Sequence, residues 1–417
     1  MNVDTGADID TRAVLDRVQA LGAIGRTGPG VTRLAFSAED REARRMLVGW
    51  MEDLGLDVRI DAAGNIFGTW GDGSAPPLLI GSHIDTVPEA GIYDGCLGVA
   101  AALEAVAALR RHSVRPSRPV QVVSFQMEES SRFGQATFGS KVFAGRLAAT
   151  EAAGWRDSSG RTLAECLAEN GSDAAVLPAA ACRTPVHAYV ELHIEQGVIL
   201  REAGVPVGVV TGIAAPLRVF VTIVGEAAHS GAALPHQRKD ALMAAGRILS
   251  QVEDLVEREQ SWGTIATIGF FRVSPNVMNV VPGEVEMSLD VRGTNVGSRL
   301  RLVRAILHAA AGVASRRQME IRASVVGEEL PTVLPDGMIA LLESAAEEEH
   351  VAHQRMVSLA GHDAMHVASI APAGMLLVRN ASGTSHSPRE WIAPEDVEAG
   401  CRVFYRAVRR LLGAGAA

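Results

Sequence analysis

Apolar positions along the chain follow two rhythms. At helical spacing they mark an amphipathic helix over Thr11–Leu21 and a second helix running to Leu54, opened by Ser37-Ala-Glu-Asp40 as a capping box. Leu97–Leu109 is Ala-rich with the same period, residues 140–185 are mostly helical by composition, and a closing helix is expected over Pro394–Leu412. Between these lie short apolar runs. Pro77–Ile80 and Val120–Gln126 read as buried strands, and His187–Ile194 and Gly374–Arg379 read as further strands. Leu56–Ile60 and Asn65–Trp70 form a predicted hairpin across Asp61–Gly64.

The character changes near Gly212. Predicted strands at Leu217–Val224, Gly263–Val273, Glu284–Arg292 and Gln318–Val326 alternate with helices at Arg238–Val256 and Gly297–Ala314. The order βαββαβ is a split, ferredoxin-like unit able to bury its own core. A chain of 417 residues exceeds one ordinary core. The expected class is therefore α/β: a mixed-sheet catalytic domain from residues 1–213 and 330–417, with the βαββαβ domain inserted at 214–329.

Composition narrows the function. A net charge of −9 and a pI near 5.8, without a basic run, exclude a nucleic-acid surface. The stretch Met1–Asp8 is acidic and polar and lacks the regions of a signal peptide, and no apolar stretch is long enough to span a bilayer. Cys96, Cys166, Cys182 and Cys401 are scattered, as expected of free thiols in the cytoplasm.

Chemistry gathers at the strand ends. His83 and Asp94 follow the first buried strand, Glu128 and Glu129 the second, and His193, Glu195 and Gln196 the third; His386 follows the fourth. Open α/β sheets place their sites beyond the carboxyl ends of strands. Imidazoles and carboxylates without thiolates suit Zn²⁺, and also Mn²⁺, Co²⁺ or Ni²⁺. Two ions per subunit need a bridging carboxylate, which Asp94 can supply, with His83, Glu129, His193 and His386 divided between them. Asp85 is placed to accept the His83 imidazole proton. Glu128 falls on the face opposite Glu129 if the strand continues, free to move a proton between water and a leaving nitrogen.

Together the motifs resemble the hydantoinase/carbamoylase branch of the M20 metallopeptidase-like amidohydrolases, from Gly30-Val-Thr-Arg-Leu-Ala-Phe-Ser37 to Gly383-Thr-Ser-His-Ser-Pro-Arg-Glu390. Leu192-His-Ile-Glu-Gln-Gly197 and Ala360-Gly-His-Asp-Ala364 are the most specific of them. That branch holds N-carbamoyl-L-amino-acid hydrolases, allantoate amidohydrolases and β-ureidopropionases. The resemblance implies that His83, Asp94, Glu129, His193 and His386 are metal ligands and that Glu128 is the general base and acid. It implies that His229 completes the site of a partner subunit, so that the inserted domain also makes a homodimer. Asn279 would hold the amide or carboxylate and Arg292 would clamp the substrate carboxylate, with Gln196, Asn276, Gly361 and His362 as further contacts.

Two segments depart from the family pattern. After His229 stands Ser-Gly-Ala-Ala-Leu-Pro in place of Ala-Gly-Thr-Thr-Pro-Met, which removes two hydroxyls near the substrate. Before Asp94 stands Glu89-Ala-Gly-Ile-Tyr in place of an Asn-Gly-Gly form. The leading expectation is removal of an N-carbamoyl group from an amino acid. Allantoate or an N-acyl amino acid is the second, and a non-catalytic metal-stabilised binding protein the third.

Overall fold

The computed structural model describes residues 9–73 and 75–413; the Met1–Asp8 stretch read for a signal lies outside the described residues. The chain divides into two compact units, one running to Thr211 and resuming at Leu334, the other Gly212–Val333.

The first unit is built on a mixed sheet. Its centre is parallel: Ala373–Val378 beside Ala188–Ile194, then Leu78–His83, then Val120–Phe125. Antiparallel strands flank it, Ile66–Trp70 and Asp57–Ile60 on one side and Val207–Ile213 on the other, where His353–Ser358 pairs with Val207–Ile213. The parallel strands are buried along almost their whole length, which explains their unbroken apolar sequence. In the register His83 pairs with Phe125, and Leu377 with His193, so four carboxyl ends finish along one edge.

Helix Cys96–Arg111 packs on the three neighbouring strands and is buried from Cys96 to Leu109. Its small residues allow this approach, and a Cβ at Gly98 would lie 2.2 Å from the Leu192 carbonyl oxygen. Glu104, buried in this helix, is matched by Arg17 and Arg111 at 2.8 Å each. Pro394–Leu411 covers the 188–194 and 373–378 strands. Among the described residues no helix is long and apolar enough to cross a membrane.

Two expectations change. The capping box at Ser37 is half made: Ser37 accepts from the Asp40 amide, but the Asp40 carboxylate turns to the Phe36 amide. Strand Val207–Ile213 and its neighbour His353–Ser358 carry no alternation and were not foreseen. Gly208 lies in the first because a Cβ there would come 2.3 Å from the Met356 sulfur, and glycine weakens a strand pattern.

The second unit is an antiparallel sheet ordered Ile265–Thr267, Glu284–Gly293, Ala215–Val224 and Glu320–Glu328, with Phe271–Ser274 also on Glu284–Gly293. Val219, Val221, Ile223, Val285, Met287, Leu289 and Val291 form one apolar face, covered by Ala241–Glu259 and Val296–Arg316. The strand expected over 263–273 is broken. Thr267 faces Asp290 and Phe271 faces Met287, so four steps on one strand oppose three on the other, a bulge at 268–270. Within this unit the two crossing segments pair, Thr332 with Ile213 and Val333 with Gly212.

Candidate metal centre

The parallel strand ends deliver most of the candidate donors to one buried place. Asp94 is its centre. Oδ1 lies 3.1 Å from His193 Nε2 and 3.7 Å from His83 Nε2, while Oδ2 lies 3.4 Å from His386 Nε2. His386 Nε2 is 3.1 Å from Glu129 Oε1, and His83 Nε2 is 3.8 Å from Glu128 Oε2. Two three-residue groups, His83–Asp94–His193 and Asp94–Glu129–His386, each hold their donor atoms within 4.8 Å of one another and share Asp94. Glu191, His193 and His362 form a third, but Glu191 is already engaged by the Ser82 hydroxyl and the Ala364 amide.

Local structure explains the placement. Gly95 (φ +66°) starts the buried helix directly under the His83 ring, and a Cβ there would come 2.4 Å from it. Arg33, 1% exposed, donates to the carbonyls of Leu21, Ile24 and Ile84 and to the Cys96 sulfur. The Thr86 amide donates to the Arg33 carbonyl, so Arg33 pins the loop carrying His83 and Asp85. Cys96 is thus a packing residue, and all four cysteines are free. Asn380 holds the 380–384 turn by accepting from Ser382 and Gly383 and donating to Thr384, ahead of His386 in left-handed backbone (φ +53°).

Asp85 faces the His83 imidazole and also makes bonds outside the expectation. The His83 Nδ1 lies 3.1 Å from the Asp85 backbone carbonyl and 3.5 Å from its carboxylate. The carboxylate also accepts the consecutive amides of Glu128 and Glu129, each at 3.1 Å. The strand does not continue through this pair: it ends at Phe125, and Met127 turns into left-handed backbone (φ +56°). Glu128 and Glu129 are therefore set by the Asp85 tie, not by strand alternation.

Burial and charge shape the protonation of the site. Burial pushes the Glu128 carboxyl well up, opposed by His83 and reinforced by Glu129, Asp363 and Asp85. Burial also raises Glu129, against the pull of His386. On Asp94 burial is outweighed by His193, His386 and His83, which hold it well below the usual carboxylate range. Hydrogen bonds to Asp94 and Glu129 push His386 up to about 11.

The donor set fits divalent cations. Asp94 Oδ1 is buried without a hydrogen-bond partner although two imidazoles face it, and the carboxylate presents one oxygen to each donor group. His83, His193 and Asp94 would hold one ion, and Asp94, Glu129 and His386 the other.

The remaining candidates are placed as follows. Gln196 donates to Asp94 Oδ2 at 2.7 Å and lies 3.3 Å from His386 Nε2, at the centre itself. His362, 2% exposed, meets the His193 ring edge-on at 4.6 Å and bonds Ser358; burial, then His193, holds its pKa well down. It stands behind a candidate ligand as a neutral ring, with Gly361 leading into it. Glu195 caps the next helix through the amides of Ile199 and Leu200.

His229, Asn276, Asn279 and Arg292 belong to the second unit. There Ala228–His229 pairs with Val280–Val281, and the Ser230 amide donates to the Asn279 carbonyl, which sets His229 beside Asn279. His229 is exposed, and its Nδ1 accepts the Gly231 and Ala232 amides, leaving the proton on Nε2. Arg292 forms a two-pronged pair with Asp290, at 3.0 and 3.2 Å. Asn276 is exposed in left-handed backbone.

Two contributors escaped the sequence reading. Arg33 and Glu390 both lie inside the motifs quoted above, and a charged residue within each motif was the available signal.

Known proteins resemble this chain throughout. The family described as Peptidase family M20/M25/M40 matches residues 79–410. An N-carbamoyl-L-amino acid amidohydrolase of Geobacillus stearothermophilus is 39% identical over 95% of this chain and 97% of its own length. An allantoate amidohydrolase of Bacillus subtilis is 35% identical over 94% and 95%. The crystal structure of an amidase of the hydantoinase/carbamoylase family from Burkholderia multivorans superposes with a TM-score of 0.90 at 32% identity, covering 97% of this chain and 98% of that one.

Proposed function

Because the chain belongs to peptidase family M20/M25/M40, in its hydantoinase/carbamoylase branch, we propose that it removes the N-carbamoyl group of N-carbamoyl-L-amino acids. The chain is an amidohydrolase, and the bond it hydrolyses is a non-peptide C–N bond. For the proposed substrate, water and the ureido group yield the free amino acid and carbamic acid, which falls apart to CO₂ and ammonia. The observation that carries the reading is the shared Asp94 carboxylate, one oxygen toward His83 and His193 and the other toward His386.

Two divalent ions, Zn²⁺ first and Mn²⁺, Co²⁺ or Ni²⁺ as alternatives, would polarise the scissile carbonyl and lower the pKa of water. The protein does the rest. Glu128, its carboxyl raised by burial, takes a proton from the attacking water and returns it to the leaving nitrogen. Asp85 keeps Glu128 and Glu129 in place through their amides. Gln196, on Asp94, reaches the bound amide.

The Gly212–Val333 unit serves as lid and dimerisation domain. His229 offers Nε2–H to the substrate carbonyl in the partner's site, a role supported by its exposure and its occupied Nδ1. Asn279 and Asn276 line the substrate, and Arg292 clamps its carboxylate. His362 and Gly361 shape the floor behind His193. The reaction runs in the cytoplasm, which fits four free thiols.

The test is ammonia release by metal-loaded protein from N-carbamoyl amino acids, allantoate and N-acetyl amino acids. Turnover should be fastest with an N-carbamoyl-L-amino acid. A preference for allantoate would move the chain to its second reading, and no turnover with any of the four metals would remove the catalytic one.

A further inference from the structure

Glu390 closes the motif that begins at Gly383, four residues beyond His386, and is 6% exposed. A buried carboxylate needs partners, and those of Glu390 lie in the loops that carry Asp94 and His386. Its Oε1 accepts the consecutive amides of Tyr93 (2.9 Å) and Asp94 (3.2 Å). Its Oε2 lies 2.8 Å from the Ser385 hydroxyl, which also lies 2.8 Å from Asp94 Oδ2. The loop closes tightly over it: a Cβ at Gly91 would come 2.3 Å from Glu390 Oε1.

The arrangement repeats what Asp85 does for Glu128 and Glu129, where one carboxylate also takes two consecutive amides. Here the carboxylate joins two segments almost 300 residues apart, the Asp94 loop and the His386 loop. His386 sits in left-handed backbone, a conformation that persists only where neighbours hold it.

We propose that Glu390 is a positioning residue of the metal centre, fixing Asp94 and the His386 loop at the separation that two ions sharing one carboxylate require. The inference rests on the metal-dependent reading above, since Glu390 acts through Asp94 and His386 and touches no substrate.

Substituted proteins distinguish this from simple packing. In Glu390→Gln the amide oxygen still accepts from Tyr93 and Asp94, and the amide nitrogen donates to Ser385, which still donates to Asp94. Glu390→Ala removes the bonds to the Tyr93 and Asp94 amides and to Ser385, leaving Ser385 on Asp94 Oδ2. Ser385→Ala removes the hydroxyl's bonds to both Asp94 Oδ2 and Glu390 Oε2 but keeps the two amides on Glu390. Zn²⁺ affinity, read by competition with a chromogenic chelator in the absence of substrate, should weaken about 10–100-fold in Glu390→Ala, the usual effect of losing a group that orients a ligand. Ser385→Ala should weaken it in the same direction, and Glu390→Gln should stay within about 5-fold of wild type.

Wild-type affinity in a folded Glu390→Ala protein with a lowered melting temperature would mean packing alone and overturn the proposal. So would Glu390→Gln as weak as Glu390→Ala. If Glu390→Ala does not fold, Ser385→Ala decides, and unchanged affinity there overturns it. A wild-type protein that binds no Zn²⁺ would sink the metal reading itself. One that binds Zn²⁺ but releases no ammonia from N-carbamoyl amino acids would sink only the substrate.

Discussion

Replacing Asp85 by Asn tests whether two amide bonds hold Glu128 and Glu129 in place. In the native site each oxygen of the carboxylate accepts one amide, from Glu128 and from Glu129, at 3.1 Å, and the group is 2% exposed. An asparagine keeps one acceptor and turns an NH₂ toward the other amide, donor against donor. A hydrogen bond to a charged group contributes about 1.5–3 kcal/mol, and a buried donor left without a partner costs about 1–3 kcal/mol. The loss is then on the order of 3 kcal/mol, and at about 1.4 kcal/mol per factor of ten it corresponds to roughly 100-fold if felt wholly in the transition state. Part will instead appear as lowered thermal stability, because the loop can relax. The assay is paired: kcat at saturating metal and substrate, and the melting temperature of the same preparation. Expected is a fall in kcat between about 10- and 100-fold with KM changed by much less. An Asp85→Asn protein with kcat within about 3-fold of wild type and an unchanged melting temperature would refute the tie. The contacts of the Asp85 carbonyl and carboxylate with His83 Nδ1 would then be what remains to that residue.

Other consequences are as direct. Glu128→Gln should retain its metal, measured by elemental analysis, and lose about 10²–10⁴-fold in kcat, the usual contribution of a general base; retained turnover would take Glu128 out of its role. Arg292→Ala should raise KM for carboxylate-bearing substrates by about 10-fold or more and barely alter kcat, and an unchanged KM would refute the clamp. In the metal-free protein His386, raised to about 11 from its ordinary 6.5 by Asp94 and Glu129, carries a proton that an ion must displace. Zn²⁺ binding at pH 8 should therefore release protons, seen as a buffer-dependent heat, and weaken as pH falls. Because the folded pKa is the higher one, the stability contributed by this group is complete below 6.5 and is lost as pH rises toward 11. The stability gap between metal-free wild type and His386→Ala should shrink from pH 7 to pH 10, and a gap that widens would contradict the assignment.

Much of this was legible in the sequence because parallel strands advertise themselves. Leu78–His83, Val120–Phe125 and Ala188–Ile194 are buried on both faces, so their apolar runs are continuous and the polar residues that interrupt them stand out at the ends. His83, Asp94, Glu129, His193 and His386 were found by that contrast, and the structure gathers their donor atoms around Asp94. What was missed has equally physical causes. Val207–Ile213 carries two glycines, Gly208 needed against Met356, and lost its strand signature to them. The tie from Asp85 depends on a left-handed turn at Met127, a backbone event with no glycine to announce it. Glu390 works through hydrogen bonds to residues 93 and 94, and pairing across that distance leaves no local periodicity.

The way the chain leaves and rejoins the larger unit has a further consequence. Thr211 and Leu334, the last and first residues of that unit on either side of the excursion, are joined by a hydrogen bond of 3.0 Å from the Leu334 amide to the Thr211 carbonyl. To the sheet, the 122 residues Gly212–Val333 amount to one long hairpin loop whose ends never part. Such a cassette can be lengthened, exchanged or cut out and the gap bridged by a tight turn, with the strand register on either side undisturbed. Protein so shortened would keep every donor around Asp94 while shedding His229, Asn279 and Arg292 together, so that the proposed roles of the two sets can be tested apart along a seam already present in the backbone.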